Sequence, residues 1–456
     1  MPALVDVAIV GGGVTGLSAA HRLCQAGLEV AVFESSPMAG GKVRTAALAG
    51  VPVECGPDGF LARGSNVAAL CWELGLGERL VSPARNRAAI WSGGRLRFLP
   101  EGLQAGLPSR PAALAVSGLL SVPGALRAAL DLVLPLTTVS ESTTVADALE
   151  RRFGREARQR LVDPLIGGIY AGDSRQLALA DALPDLYAIA SRNRSLLLAL
   201  RGRRPSAAPA FQTLSGGLQQ LTDGLAARVG GLHLATEVTA LDRLPGGRFE
   251  LSTAAGAVTA RAVIVTCPAF AAAKLLKCID ARAAELLAAI PYASVATIAL
   301  AYPRAQLQLT RSSGFLVPPR EGRLVTAATW VSEKWPHQGD DRIALVRCSV
   351  GRVGDERWRS LEDDALLERV RADLVQLAGV RAEPIAGGVT RWERALPQYR
   401  PGHGARVAEI EARLARYPWL LVAGAAYRGI GIAACVAQAE RAAVAAAESC
   451  RAVRAG

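Results

Sequence analysis

Apolar positions change their period several times along this chain, and each change marks an element. Val7-Ala8-Ile9-Val10 is a continuous apolar run, the pattern of a strand covered on both faces. It opens into Gly11-Gly12-Gly13-Val14-Thr15-Gly16, after which Leu17, Ala20 and Leu23 recur at helical spacing as far as Gly27. A second apolar run, Val30-Ala31-Val32-Phe33, ends on Glu34. This pattern predicts strand, glycine turn, helix, strand and acid. From about residue 96 to 205 the strand signal disappears and Leu/Ala-rich segments with helical spacing take over, as in 114–120, 125–134 and 145–149. A Pro/Arg-rich connector, 201–209, leads back to strands at His233-Leu234-Ala235, Glu237-Val238-Thr239, Phe249-Glu250-Leu251-Ser252 and Ala262-Val263-Ile264-Val265. Residues 280–390 mix strands (296–302, 343–349) with a helix near 361–377, and Gly40-Gly41-Lys42-Val43-Arg44 forms a further glycine turn after the second strand. The chain closes with a strand over 419–424, then Gly429-Ile430-Gly431 and an Ala-rich helix.

These elements predict an α/β fold in three parts. A split, Rossmann-like dinucleotide domain would take 1–95, 206–280 and 391–456. A helical insertion would occupy 96–205, and a mixed-sheet domain 281–390. The positions of the opening turn differ in what they must do. Gly11 allows the tight turn, Gly13 lets a pyrophosphate approach the backbone, and Gly16 lets helix and strand pack closely. Gly12, Val14 and Thr15 complete the loop, whose N–H groups and helix dipole favour phosphate. Glu34, with Ser35 beside it, is placed to accept hydrogen bonds from an adenosine ribose and to repel a 2′-phosphate. A structural glycine turn is the alternative, and the full strand–turn–helix–strand context outweighs it. The second glycine-rich helix start, at 429–431, can supply N–H groups to the isoalloxazine of a flavin.

Composition narrows the function further. A chain of 456 residues divides naturally into two or three lobes, and half of its residues are hydrophobic. The net charge of +12 comes almost wholly from arginine. A GC-rich genome explains that most simply, and an anionic ligand, which arginine pairs bidentately, is the second explanation. Nucleic acid is a poor third, because no basic cluster with interleaved aromatics occurs. Eight cysteines without a CxxC pair and four distant histidines give neither a metal site nor a disulfide framework, and they point to free thiols in a reducing cytoplasm. The longest apolar region, 112–136, is broken by Pro123, Arg127 and Asp131, so no spanning helix is expected and peripheral membrane contact stays open. With a strand-forming segment at the very start, no leader peptide is expected.

Several motifs together resemble one family, the flavin-dependent porphyrinogen oxidases of haem biosynthesis, within the amine-oxidase-like flavoproteins. They are Gly40-Gly41-Lys42, Glu54-Cys55-Gly56-Pro57-Asp58, Gly167-Gly168-Ile169-Tyr170-Ala171-Gly172-Asp173 and Phe211-Gln212-Thr213-Leu214. Arg391-Trp392, Pro397-Gln398-Tyr399 with Gly402-His403, and Gly429-Ile430-Gly431-Ile432 complete the set. Thr329-Trp330-Val331-Ser332-Glu333-Lys334-Trp335-Pro336-His337, Leu99-Pro100-Glu101-Gly102 and Arg127-Ala128-Ala129-Leu130-Asp131 look more like the coproporphyrinogen III oxidase subgroup than the protoporphyrinogen IX oxidases. Two departures stand out. Gly59 replaces a usual serine and Arg63 is followed by Gly64, while Ala433-Ala434 replaces a Pro-Asp pair at the start of the last helix.

The resemblance implies FAD as cofactor and a six-electron oxidation of coproporphyrinogen III by oxygen, giving three hydrogen peroxide. The flavin carries the chemistry, so no catalytic side chain and no metal are implied. Lys42 and Gly56-Pro57-Asp58-Gly59 would lie along pyrophosphate and isoalloxazine, with a plain turn as the alternative at Gly56-Pro57. Val238 would meet adenine through its backbone, or serve as ordinary strand core. Gly424 and Ile430-Gly431-Ile432 would sit under the flavin. Gly168, Ile169 and Tyr170 would form a wall of the substrate pocket, with a core tyrosine as the alternative. Arg63 would pair a propionate or stay solvated, and Lys334 to His337 would be packing or substrate contact. Neither His337 nor His403 has a claim to catalysis. A downstream ferrochelatase is a partner by pathway logic. The rivals are protoporphyrinogen IX oxidase, an amine oxidase or desaturase on the same scaffold, and a nucleotide-fold binding protein without chemistry. At 5% aromatic content, the aromatic cage of an amine oxidase is poorly supported.

Overall fold

The computed structural model describes residues 4–62, 64–100, 103–104, 107–108, 117–201, 210–310 and 312–455. Arg63, residues 112–116 and residues 202–209 lie outside them. Leu4–Val10 runs through the middle of the first sheet, parallel to Val30–Phe33 on one side and to Gly256–Val265 on the other. Leu232–His233 adds beyond Val30–Phe33. The long strand Gly256–Val265 has two partners on its far side. The antiparallel ribbon Val238–Arg243 and Phe249–Thr253 joins its first half, and Leu420–Val422 runs parallel to its last three residues.

Both faces of this sheet are covered, which is why its strands read as unbroken apolar runs. On one face Val7, Ile9, Val32 and Ile264 pack under helices Val14–Gln25 and Ile432–Ala455 through Ala19, Ala20, Leu23, Ala439 and Ala443. Alanine at these positions lets the first and last helices of the chain lie close together. On the other face Val5, Ala8, Val10 and Val263 meet helices Ala269–Leu276, Ala281–Ala288 and His403–Leu414.

A second sheet runs in the order Ala386–Pro397, Tyr292–Pro303, Ile343–Val350, Val325–Trp330, Gly314–Leu316, Ala88–Ser92 and Arg95–Phe98. Only the pairing of Gly314–Leu316 with Ala88–Ser92 is parallel. One face buries Ile298, Leu300, Val346, Cys348 and Val350 against Trp358 and helix Asp363–Ala378. The opposite face is covered at one end by the hairpin Thr45–Leu48 and Val51–Glu54, through Val51 and Val53 against Ala299, Ala301 and Leu345.

Sheet membership moves the lobe boundaries from those expected. The hairpin 88–98 belongs to the second sheet, not to the first dinucleotide segment, and Ala386–Pro397 carries that sheet past 390. Helix Ala281–Ala288 packs in the core of the first sheet instead. Alternation reveals a strand without revealing which sheet it joins. The intervening helices, among them Val122–Ala129, Val145–Phe153, Asp163–Tyr170, Pro184–Arg192 and Leu196–Arg201, enclose a core of Leu149, Phe153, Leu161, Tyr170, Leu186 and Leu200. Among the described residues, no helix is long and apolar enough to cross a membrane.

Candidate functional site at the ends of the parallel strands

The site lies where Leu4–Val10, Gly256–Val265 and Leu420–Val422 all end. Gly11 donates its N–H to Phe33 O (2.8 Å), and Thr266 Oγ1 donates to the carbonyls of Val10 (3.0 Å) and Gly11 (2.9 Å). Gly16 can only be glycine, because a Cβ there would stand 1.9 Å from Gly11 O. Helix Val14–Gln25 has no side-chain cap and no acid in its first turn, so its leading N–H groups face outward without an intrahelical acceptor. Glu34 is held by the same loop. Its Oε2 accepts from Gly12 N at 2.7 Å and its Oε1 from Ser36 N at 2.8 Å, with Ser35 Oγ at 3.5 Å. Each oxygen keeps acceptor capacity on a half-buried carboxylate.

Other segments converge here. Thr236 N donates to Glu34 O at 2.8 Å, which brings Val238 to the same end of the sheet. The Val238 side chain is ordinary core, packed with Phe33 and Leu241. Gly40 N donates to Gly12 O at 2.8 Å, laying Gly40-Gly41-Lys42 along the turn. Lys42 is half-buried and has no ion pair among the described residues, and burial pushes its pKa down. Gly56 rests on Lys42, since a Cβ at Gly56 would stand 2.0 Å from Lys42 O. The terminal turn closes the ring, with Gly424 packed so that a Cβ would lie 3.7 Å from Thr15 Oγ1 and 3.6 Å from Thr266 O. Cys435, in the first turn of the last helix, is buried, and burial raises the pKa of its thiol.

Behind Ile430-Gly431-Ile432, Tyr399 Oη accepts from Gly429 N (2.9 Å) and donates to Ala425 O (2.5 Å). His403 stacks on Tyr399 with ring centroids 4.1 Å apart, and its Nε2 meets Tyr427 O at 2.9 Å. Burial lowers the His403 pKa to about 4, so the ring is neutral and its Nε2–H donates to that carbonyl. Arg347 donates to Gly56 O (2.9 Å) and Trp392 Nε1 to Cys55 O (2.8 Å), clamping the Cys55–Gly56 loop from the second sheet. Thr266 follows directly on an apolar run, a usable sequence signal. Arg347 carries no such mark.

Two expected roles change. Asp58 is engaged elsewhere, with Lys334 Nζ 2.8 Å away, Trp335 Nε1 3.3 Å and Arg347 3.5 Å. Burial opposes its charge, yet Lys334 and Arg347 hold the carboxyl well below the usual carboxylate range. Asp58 is therefore a joint between the loop and the second sheet. Lys334 and Trp335 are its packing, with Trp335 fully buried and Gly59 beneath it. Tyr170 is a core tyrosine and not a pocket wall, because its side chain is buried and its hydroxyl donates to Ala182 O at 2.9 Å. Gly168 and Ile169 on the same helix are exposed, and a Cβ at Gly168 would come within 3.1 Å of Leu316. Pro57 stays half-buried in the clamped loop. Arg63 lies outside the described residues.

A cation without a counter-charge beside an uncapped helix start fits a pyrophosphate, and Glu34 opposite fits a ribose.

Comparison with known proteins agrees with this architecture. Residues 14–447 match the flavin-containing amine oxidoreductase family. The chain is 38% identical to the coproporphyrinogen III oxidase of Mycobacterium leprae over 441 residues, covering 95% of this chain and 96% of that one. It is 34% identical to the coproporphyrinogen III oxidase of Bacillus subtilis over 452 residues, covering 95% and 96%. A crystal structure from Exiguobacterium, assigned as a protoporphyrinogen oxidase, superposes with a TM-score of 0.87 at 30% identity over 97% of this chain and 99% of that one. The chain belongs to the flavin-containing amine oxidoreductase family and is an FAD-dependent oxidoreductase.

Proposed function

With that membership as premise, we propose that the chain oxidises coproporphyrinogen III to coproporphyrin III, with oxygen as final acceptor and three hydrogen peroxide formed. The observation that carries the flavin reading is the meeting of the opening and closing glycine turns at Thr15 and Thr266. The likeness to coproporphyrinogen III oxidases along nearly the whole chain supports the substrate.

In this reading Gly11 to Gly16 and Lys42 hold the pyrophosphate, and Glu34 holds the ribose. Val238 offers its backbone to adenine. Gly56, Pro57, Gly424 and Ile430-Gly431-Ile432 border the isoalloxazine. FAD, when bound, supplies the two-electron acceptor. The protein's own part is to bind and orient the tetrapyrrole and to keep water from the reacting carbon. The buried Tyr399 and neutral His403 fix the closing turn without taking a proton from substrate. The test is porphyrin fluorescence from coproporphyrinogen III and protoporphyrinogen IX, side by side. A clearly larger kcat/KM for the first is expected, and an equal or reversed order would favour the protoporphyrinogen reading.

The enzyme is assigned to the cytoplasm, in keeping with eight free thiols. Val122, Leu126, Leu130, Val133 and Leu136 are exposed on and after one helix, and this supports peripheral contact with a membrane. Sedimentation with anionic vesicles tests it, and protein left wholly in the supernatant would remove it. Transient contact with a ferrochelatase rests on the product, a porphyrin ready for metal. Co-purification with that enzyme tests it.

A further inference from the structure

Helix Asp363–Ala378 covers one face of the second sheet with Leu366, Val370 and Leu374. Arg369, Ala372, Asp373 and Gln376 form another face of that helix, at the spacing that brings residues three, four and seven apart to one side. Together with the turn Gly322-Arg323-Leu324, Arg357 and Leu361, they line a cavity of about 320 Å³. The helix packs on Cys348 and Val350, whereas Arg347, on the other face of the same strand, reaches Gly56 O. The sheet therefore separates this cavity from the flavin loop.

Arginines on a surface helix are ordinarily solvated and single. Here the carboxylate that would neutralise them is already engaged. Asp373 lies four residues after Arg369, within reach of it on a helix. One of its oxygens, however, accepts from Leu324 N (2.9 Å) and Val325 N (3.0 Å), and the other faces Arg323 at 3.6 Å. Asp373 thus ties the start of strand Val325–Trp330 to the helix. Arg323 also donates to Gln376 Oε1. Arg357 is fixed by Asp355, at 2.7 and 2.8 Å, and by Gly322 O. Arg369 is exposed and has neither an ion pair nor a hydrogen bond among the described residues. Three guanidinium groups therefore share one concave surface with a single carboxylate among the described lining residues. Each guanidinium carries five donors, so N–H groups far outnumber acceptors. Two of the three are already oriented by their neighbours, which lowers the cost of closing them on a ligand.

We propose that this cavity is an anion-binding site separate from the reaction site, taking a small molecule with two or more carboxylate or phosphate groups. Guanidinium forks recognise both groups bidentately. Arg369 supplies the uncompensated charge, and Arg323 and Arg357 complete the fork. Leu324, Leu361 and Ala372 add an apolar wall, and the volume lies at the lower end of the ~300–1,000 Å³ of small-molecule sites. A bound anion ties the helix to the turn at Gly322 and stabilises the folded chain by linkage. The site is independent of the porphyrinogen reading.

The experiment titrates FAD-loaded protein calorimetrically with citrate and, separately, with inorganic pyrophosphate in a chloride buffer. At least one should bind saturably, one per chain, and raise the melting midpoint; either preference supports the site and tells carboxylate from phosphate. Arg369→Ala should weaken that binding at least tenfold. Ala372→Glu, which puts a carboxylate into the cavity, should abolish it. Both variants should keep wild-type flavin content and coproporphyrinogen III kinetics. Lys277→Ala removes an exposed charge from the first lobe and should bind as wild type does. No saturable binding of either probe at millimolar concentration would overturn the site. Equal weakening by Lys277→Ala would reduce it to net charge and overturn it as well. A raised KM for coproporphyrinogen III in Arg369→Ala would overturn its separation from the reaction. Should Ala372→Glu fail to fold, Arg369→Ala decides, and binding there within twofold of wild type would overturn the proposal.

Discussion

The two sheets of this protein are covered differently. The first is mostly parallel, covered on both faces, and its strands are fully buried from Val7 to Ile9 and from Ala262 to Val265. It has no free face, so a ligand can bind only at the strand ends, where glycine turns expose N–H groups. The second sheet is mostly antiparallel, with helix Asp363–Ala378 on one side only. Its other face carries half-buried small side chains from Leu316 to Thr390 and is covered at one end by the hairpin Thr45–Leu48 and Val51–Glu54. Asp58, Arg347 and Trp392 tie the 55–58 loop to the second sheet.

The largest blow to this contrast should come at the strand ends. Gly16→Val would drive side-chain atoms into the Gly11 carbonyl, with an expected loss of about 3 kcal/mol or more and no retained flavin. Thermal melting and the flavin absorbance of purified protein check it; yellow protein with unchanged melting would break the strand-end site. His403 should dominate the acid limb. Its folded pKa, about 4, lies below an unfolded value near 6.5, so the unfolded chain takes up a proton first as pH falls. Stability is thus full above pH ~6.5 and should decline by about 3 kcal/mol down to pH ~4. Denaturant titrations across that range should show the decline in wild type and a flatter limb in His403→Phe.

Asp58→Ala tests the joint between the 55–58 loop and the second sheet. It strands Lys334 and Arg347 without their shared carboxylate and should cost about 2 kcal/mol, less than a fully buried pair because Asp58 keeps some exposure. In wild type the contribution of Asp58, whose folded pKa is lowered, is present above pH ~4 and is lost as pH falls below it. Lys42→Met should weaken FAD binding about tenfold, roughly 1.4 kcal/mol, measured by flavin release. Smallest of all, raising salt should reduce coproporphyrinogen turnover about twofold to fivefold, since exposed arginine–propionate pairs are screened over ~8–10 Å. A flat salt profile would mean that the substrate arrives without help from surface charge.

Much of the parallel half was legible in advance. Val7 to Val10, the glycines to Gly16, and Glu34 carry their geometry in local order, because turn, helix start and acid lie within one supersecondary unit. Leu420–Val422 and Gly429 to Gly431 were legible as a second such unit, though their meeting with Thr15 was not. The antiparallel half was read less well. The hairpin 88–98 looked like part of the dinucleotide domain, because short alternating strands pair with distant partners that local pattern cannot name. Asp58 looked like a flavin neighbour, and Tyr170 like a pocket wall, for a related reason. Their motifs fix where the backbone turns but not what the side chains meet: Asp58 pairs with Lys334, 276 residues away, and the Tyr170 hydroxyl donates to Ala182 O across a helical core that local pattern does not name.

Sequence by itself determined the α/β class, the FAD-type turn and the soft boundaries between lobes, since hydrophobic period and glycine placement are local properties. Only the tertiary structure decided which sheet each strand entered, which carboxylate was spent on a joint, and which small residues stayed half-buried. Those outcomes depend on register and on contacts between distant segments, and a one-residue shift in pairing would have turned Thr297 and Ser349 into the core.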